Sequence, residues 1–190
     1  MRYPLMVSTL LLVTTGCSQF PHHAFFVPPE AGDNTAWVRI VGGTESASIQ
    51  QQVNGKTQGG MVRSSEWILT HTRDGGMPVD SRQNKSAWGD YYETPVIAGR
   101  STHIGQVYDD GKNSCVSGIT FTPKKGHYYQ FSLQVDLRLY QCRGLAYELK
   151  KDAQGNWRLE DLQGVTWGGK YDATENGDWR RMSYREKPGI

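Results

Sequence analysis

From residue 36 onward, apolar and polar positions alternate in short runs separated by glycine-rich turn signals. The clearest run covers 127–139. Tyr129, Phe131, Leu133, Val135, Leu137 and Leu139 fall on one side of it, and Gln130, Ser132, Gln134, Asp136 and Arg138 on the other. A period of two marks an extended strand with one buried and one wet face. Residues 142–150 repeat the pattern through Leu145, Tyr147 and Leu149. After a turn at 152–156, Trp157, Leu159 and Leu162 continue it as a hairpin. Upstream, 118–122 reads as a strand leading into a turn that opens with Pro123 and closes with Gly126. Earlier strands are expected at 37–41, 47–53, 66–70, 94–98 and 103–108. The pair Asn54-Gly55 ends the second of these, and 73–90 forms a long polar loop. Helical periodicity is scarce and no repeat of 20–50 residues is visible. The pattern predicts an all-β fold, an antiparallel β-sandwich or small barrel of about nine strands.

The first residues follow a different logic. Arg2 gives a positive start, 5–13 form an apolar run, and Thr14-Thr15-Gly16 bring small residues up to Cys17. This is the layout of a secretory signal peptide, with a run too short to span a bilayer. Small residues followed by Cys17 resemble a bacterial lipobox, in which the cysteine is lipidated and becomes the new N-terminus. Thr14 departs from it, because leucine usually occupies that position. Ser18 after the cysteine suggests the outer membrane by analogy with bacterial sorting rules. The expected organisation is a signal peptide at 1–16 and lipidated Cys17 with a flexible linker at 17–35. A β-sandwich domain follows at 36–163, and an aromatic and basic tail or edge segment at 164–190. Within the linker, Phe25-Phe26-Val27 is the expected docking point on the domain.

Composition narrows the function classes. The chain has 190 residues, with 21 basic and 19 acidic side chains. That near-balance gives no strong positive field for nucleic acid, and 11% aromatic content needs a packed core. Three cysteines are present. Once Cys17 carries lipid, Cys115 and Cys142 are left as a pair in an oxidising compartment, and a disulfide is expected between them. The alternative is two buried thiols. The spacing is wrong for a zinc site.

No catalytic signature emerges. Arg39-Ile40-Val41-Gly42-Gly43 looks like the activation site of a trypsin-like protease, but the nucleophile loop is missing and the chain is too short for two barrels. The five histidines form no metal-binding motif, and no nucleophile elbow, phosphate loop or dinucleotide glycine pattern occurs. No cofactor or metal is expected. Trp88, Tyr91 and Tyr92 lie in or beside the long polar loop, where aromatics often mark a binding surface. A second aromatic and basic cluster, including Trp167, Trp179, Arg180 and Arg181, lies in the tail. These seven are the candidate partner-binding residues.

Residues 93–99, Cys115, Phe121-Thr122-Pro123, Gly126-His127-Tyr128 and Cys142 resemble a class of small bacterial envelope lipoproteins of uncharacterised function. In that class a hairpin of the type Phe-x-Pro-x-x-Gly-x-x-Tyr is bracketed by a cysteine pair. The resemblance implies a disulfide-pinned β-sandwich on an anchored periplasmic protein, and it brings no catalytic residues. Three functions are compatible with it. The first is a non-enzymatic module that binds an envelope protein, such as a secretion-system accessory or a toxin-neutralising immunity protein. The second is a structural or cell-wall-binding lipoprotein. The third is a hydrolase without a motif, for which His103, His127, Asp109 and Asp136 are the starting residues.

Overall fold

The computed structural model describes residues 24–42, 44–64, 72–168, 180–181 and 183–184. Two mixed-length sheets face each other. The first runs in the order β4 (Tyr91–Ile97), β1 (Thr35–Val41), β7 (Tyr128–Asp136), β8 (Gln141–Lys151). Both β9 (Trp157–Asp161) and β11 (Arg180–Arg181) lie along the outer edge of β8. The second runs β3 (Lys56–Ser64), β2 (Ser46–Val53), β5 (Thr102–Asp109), β6 (Asn113–Phe121), with β10 (Thr166–Trp167) and β12 (Ser183–Tyr184) on the outer edge of β6. The all-β sandwich is therefore as the sequence predicts, although two-residue edge segments raise the strand count above nine. One pair is not antiparallel: β1 and β7 run parallel, from Trp37 opposite Tyr128 to Val41 opposite Ser132.

The inward face of each strand follows its alternation. Val38, Ile40, Ile49, Val96, Ile104, Ile119, Tyr129 and Phe131 are buried in one cluster between the sheets. Phe121 anchors it, with its ring 4.9 Å from that of Tyr129 and 5.0 Å from that of Phe131. Each such side chain contributes about 1.5–3 kcal/mol through the apolar area it removes from water. The Cys115–Cys142 disulfide joins β6 to β8, hence sheet to sheet, with Cα atoms 6.5 Å apart. Leu133 is buried beside it, with Tyr108 and Val135 packed against the pair.

Three local expectations change. The strand predicted at 127–139 ends at Asp136, whose Oδ1 accepts the N–H groups of Arg138 and Leu139 and turns the chain. Leu137 and Leu139 are consequently exposed instead of continuing the buried row. The strand predicted at 118–122 begins five residues earlier, at Asn113. A strand at 56–64 was not expected, because Gly59-Gly60 reads as a turn, and the one predicted at 66–70 lies outside the described residues. The glycines have a steric cause. The backbone of residues 24–26 crosses β3 so closely that a Cβ on Gly60 would stand 2.0 Å from the Ala24 carbonyl oxygen. There Phe26 N–H donates to the Met61 carbonyl and Met61 N–H to that of Ala24, both at 2.9 Å. Phe26 enters the core while Phe25 and Val27 stay exposed, so the expected docking point is made by one side chain of the three. The expected signal peptide at 1–16 and Cys17 lie outside the described residues.

Candidate functional site

Alternation on β1, β4 and β7 sends Arg39, Glu93 and Gln130 to the outer face of the first sheet. They form one cross-strand row, since Arg39 is opposite Glu93 on one side and Gln130 on the other. Period-two logic would put such residues in water. Here Arg39 and Glu93 are 0% exposed and Gln130 only 4%, because residues 72–90 fold across this face as a roof.

The roof is fastened to the row by charge. Arg39 Nε donates to Glu93 Oε1 at 2.7 Å, and Nη1 donates to Gln130 Oε1 at 3.0 Å. Nη2 reaches the carbonyls of Met77 and Pro78 at 3.1 and 2.8 Å, and lies 2.7 Å from Glu93 Oε1. The other Glu93 oxygen accepts the N–H groups of Gly75 and Met77 at 2.7 and 3.0 Å, and Lys85 Nζ lies 3.2 Å from the first. Burial lowers the Arg39 pKa and the contact with Glu93 opposes it, so the guanidinium stays charged. A buried charge pair of this kind is sustained only when the remaining donors and acceptors are also satisfied, and the backbone of the roof supplies them.

Both ends of the roof are tied to sheet edges. Arg73 pairs with β4, its N–H donating to the Tyr91 carbonyl at 3.0 Å and its carbonyl accepting from Glu93 at 2.9 Å. At the other end Asp80, whose side chain is 1% exposed, accepts from Arg82 Nη2 at 2.6 Å and from the backbone N–H of Leu159 in β9 at 2.9 Å. Ser81 N–H donates to the Trp157 carbonyl at 3.0 Å. The Arg82 contact outweighs the effect of burial and holds the Asp80 carboxyl well below the usual carboxylate range. Asp74 is held low as well, first by Lys85, with Gly76 N–H and the Tyr91 hydroxyl adding to it.

A 3-10 turn at Lys85–Ala87, capped by the Asn84 side chain on Ser86 N–H, sets Trp88 in place. The Arg39 guanidinium carbon lies 4.6 Å from the centre of the Trp88 ring, a cation–π contact. Tyr91 meets that ring edge-on at 5.6 Å. Between Trp88, the roof and strands β7 and β8 opens a cleft of about 410 Å³, whose lining includes Arg82, Gln130, Ser132, Gln134 and Tyr147.

The candidate residues thus separate. Trp88 lines the cleft and Tyr91 supports it. Tyr92, one residue on, takes the opposite face of β4, at the position facing Ile40, and its hydroxyl accepts from Arg73 Nη1 at 3.0 Å. Trp167 is half-buried and packs against the main core. Arg180 and Arg181 pair through their backbone with Cys142 and Gln141 of β8. Their side chains, and all of Trp179, lie outside the described residues.

The four hydrolase candidates do not converge. His127 and Asp136 sit at opposite ends of β7, and His103 and Asp109 at opposite ends of β5. His103 Nδ1 is 2.9 Å from Thr120 Oγ1 and burial lowers its pKa. Asp109 and Asp136 each accept backbone N–H groups of their own turns. His127 instead meets Glu148. Burial pushes that carboxyl up, but hydrogen bonds from His127 and Lys150 outweigh it and leave Glu148 below its ordinary value. Among the described residues, no group of three or more histidine, cysteine or acidic side chains is placed to hold a metal ion.

Arg39, Glu93, Gln130 and Asp80 are the site residues that sequence reasoning missed. The one signal, for Arg39 and Glu93 alone, was the presence of opposite charges within two otherwise apolar strand segments. No protein family, curated protein or solved structure matches the chain. Fold and site together define a two-sheet all-β sandwich carrying a preformed, roofed cleft on one outer face.

Proposed function

We propose that this chain is a bacterial envelope lipoprotein, anchored in the outer membrane through Cys17, whose domain faces the periplasm and acts as a non-enzymatic protein-binding module. The observation that supports the binding role is the clamping of Trp88. An indole fixed by Arg39 and Tyr91 beside an open cleft loses little conformational freedom when a partner covers it, which is the main saving in a preorganised interface. The anchoring role rests on the sequence from Met1 to Cys17, where acyl chains contribute about 0.8 kcal/mol per buried CH₂.

The test is cross-linked capture of partners from the native envelope by the full-length chain and by Trp88→Ala. The substitution removes a half-buried ring but leaves the Arg39–Glu93 contact intact, so the fold should persist while partner recovery drops at least about tenfold, as for a central aromatic anchor. Equal recovery by the two forms rejects the cleft as the binding site. Cys17→Ala tests the anchor separately: the protein should leave the membrane fraction.

A further inference from the structure

The outer face of β7 presents Gln130, Ser132 and Gln134 in one line to the cleft. Both amides of the row are oriented by arginines. Arg39 Nη1 donates to Gln130 Oε1 at 3.0 Å, and Arg143 Nε donates to Gln134 Oε1 at 2.8 Å. A guanidinium offers donors only, so each carbonyl oxygen must face its arginine and each NH₂ must face away from it. Gln130 is 4% exposed, and its Oε1 is engaged by Arg39, which leaves its Nε2 on the side away from that guanidinium. Amide donors oriented this way along the cleft favour a ligand that brings acceptors.

The spacing indicates what kind of acceptor. Residues two apart on a strand stand about 6.7 Å from one another, so the row offers donors at that interval over about 13 Å. An extended polypeptide presents the carbonyls of one side with the same two-residue period. At the roof end of the row Asp80 is paired with Arg82 and Arg39 with Glu93, which favours a neutral ligand there. A volume of about 410 Å³ admits a short segment and not a folded surface.

We propose that the cleft binds an uncharged, extended peptide segment of the partner protein, laid along β7. Its carbonyl oxygens accept from Gln130 Nε2, the Ser132 hydroxyl and Gln134 Nε2, and one of its side chains rests against Trp88. This rests on the binding-module reading and specifies the ligand of that same site.

An array of end-blocked, uncharged octapeptides of random sequence, probed with the full-length chain, tests it. The best binders are then titrated against Gln130→Glu and Gln134→Glu. Each substitution keeps the side-chain shape and the arginine contact but replaces the NH₂ donor with an acceptor oxygen. The expected result is peptide binding that weakens about 3- to 10-fold in each variant, the effect of one lost hydrogen bond. Gln134 is exposed, so its variant should melt with the parent, which separates lost binding from lost folding. Equal affinity in all three forms overturns the proposal. So does a tetramer of N-acetylglucosamine that binds where the peptides do not and is lost in the same variants, which makes a glycan the ligand. If no peptide binds at millimolar concentration but Trp88→Ala still abolishes partner capture, this inference fails and the binding module stands. If Trp88→Ala leaves capture unchanged as well, both fail.

Discussion

Arg39 shows how one residue can reverse the meaning of a sheet face. Four of its five N–H donors meet a carboxylate, an amide and two backbone carbonyls, so a position that alternation assigns to solvent becomes a buried, hydrogen-bonded polar site. Removing one partner of such a pair leaves a charge buried and alone. Glu93→Ala should therefore lower the unfolding free energy by about 3–5 kcal/mol. Replacing both Arg39 and Glu93 with leucine should cost less than the sum of the single changes, and denaturant titration of the four forms checks this. Gln106 is the opposite case. It is fully buried on the inward face of β5, and among the described residues neither end of its amide has a hydrogen-bond partner. Gln106→Met should raise stability by about 1–3 kcal/mol, since it removes an unsatisfied polar group at similar volume. A melt unchanged or lowered would show that the amide is satisfied in solution.

The roof at 72–90 and the crossing segment at 24–26 are elements whose position depends on a few contacts. Asp80 ties the roof to β9 through the Leu159 N–H, while Arg82, itself in the roof, holds the carboxylate in place. Its folded-state pKa is depressed, so the stability it adds is fully present above the unfolded value near 3.9 and is lost as pH falls from there through the folded-state pKa. Acid should thus release the roof before the core. Amide exchange at Leu159 should accelerate below about pH 4 while Ile104 and Ile119 stay protected, and Asp80→Asn should show the faster exchange already at neutral pH. Gly60→Ala should displace the crossing segment, since its Cβ would overlap the Ala24 carbonyl. Limited proteolysis should then cut near Phe26. At this scale the sequence was readable wherever one face met the core. The expected strand at 127–139 is too long because Leu137 and Leu139 keep the alternation while Asp136 turns the backbone, and β3 is hidden because Gly60 serves a contact with a distant segment and Gly59 one with the neighbouring β2.

For the molecule as a whole, the disulfide is the covalent link between the sheets. Its 27-residue separation gives about 3.5 kcal/mol on the chain-entropy model. Cys115→Ala with Cys142→Ala should lower stability by about that amount, with the loss concentrated at the end of the sandwich where Leu133 and Val135 pack. The sequence by itself determined the all-β class, the long hairpins, the disulfide pairing and the placement of Trp88 in a polar loop. These follow from local periodicity, turn chemistry and cysteine count. Only the tertiary structure decided that β1 inserts in parallel beside β7, that Tyr91 and Tyr92 serve opposite faces, and that Trp167 packs against the core. It also decided that Arg39, Glu93 and Gln130 are buried together. Their contacts span up to 91 positions, and alternation fixes which side of a sheet a residue takes but not what will cover it.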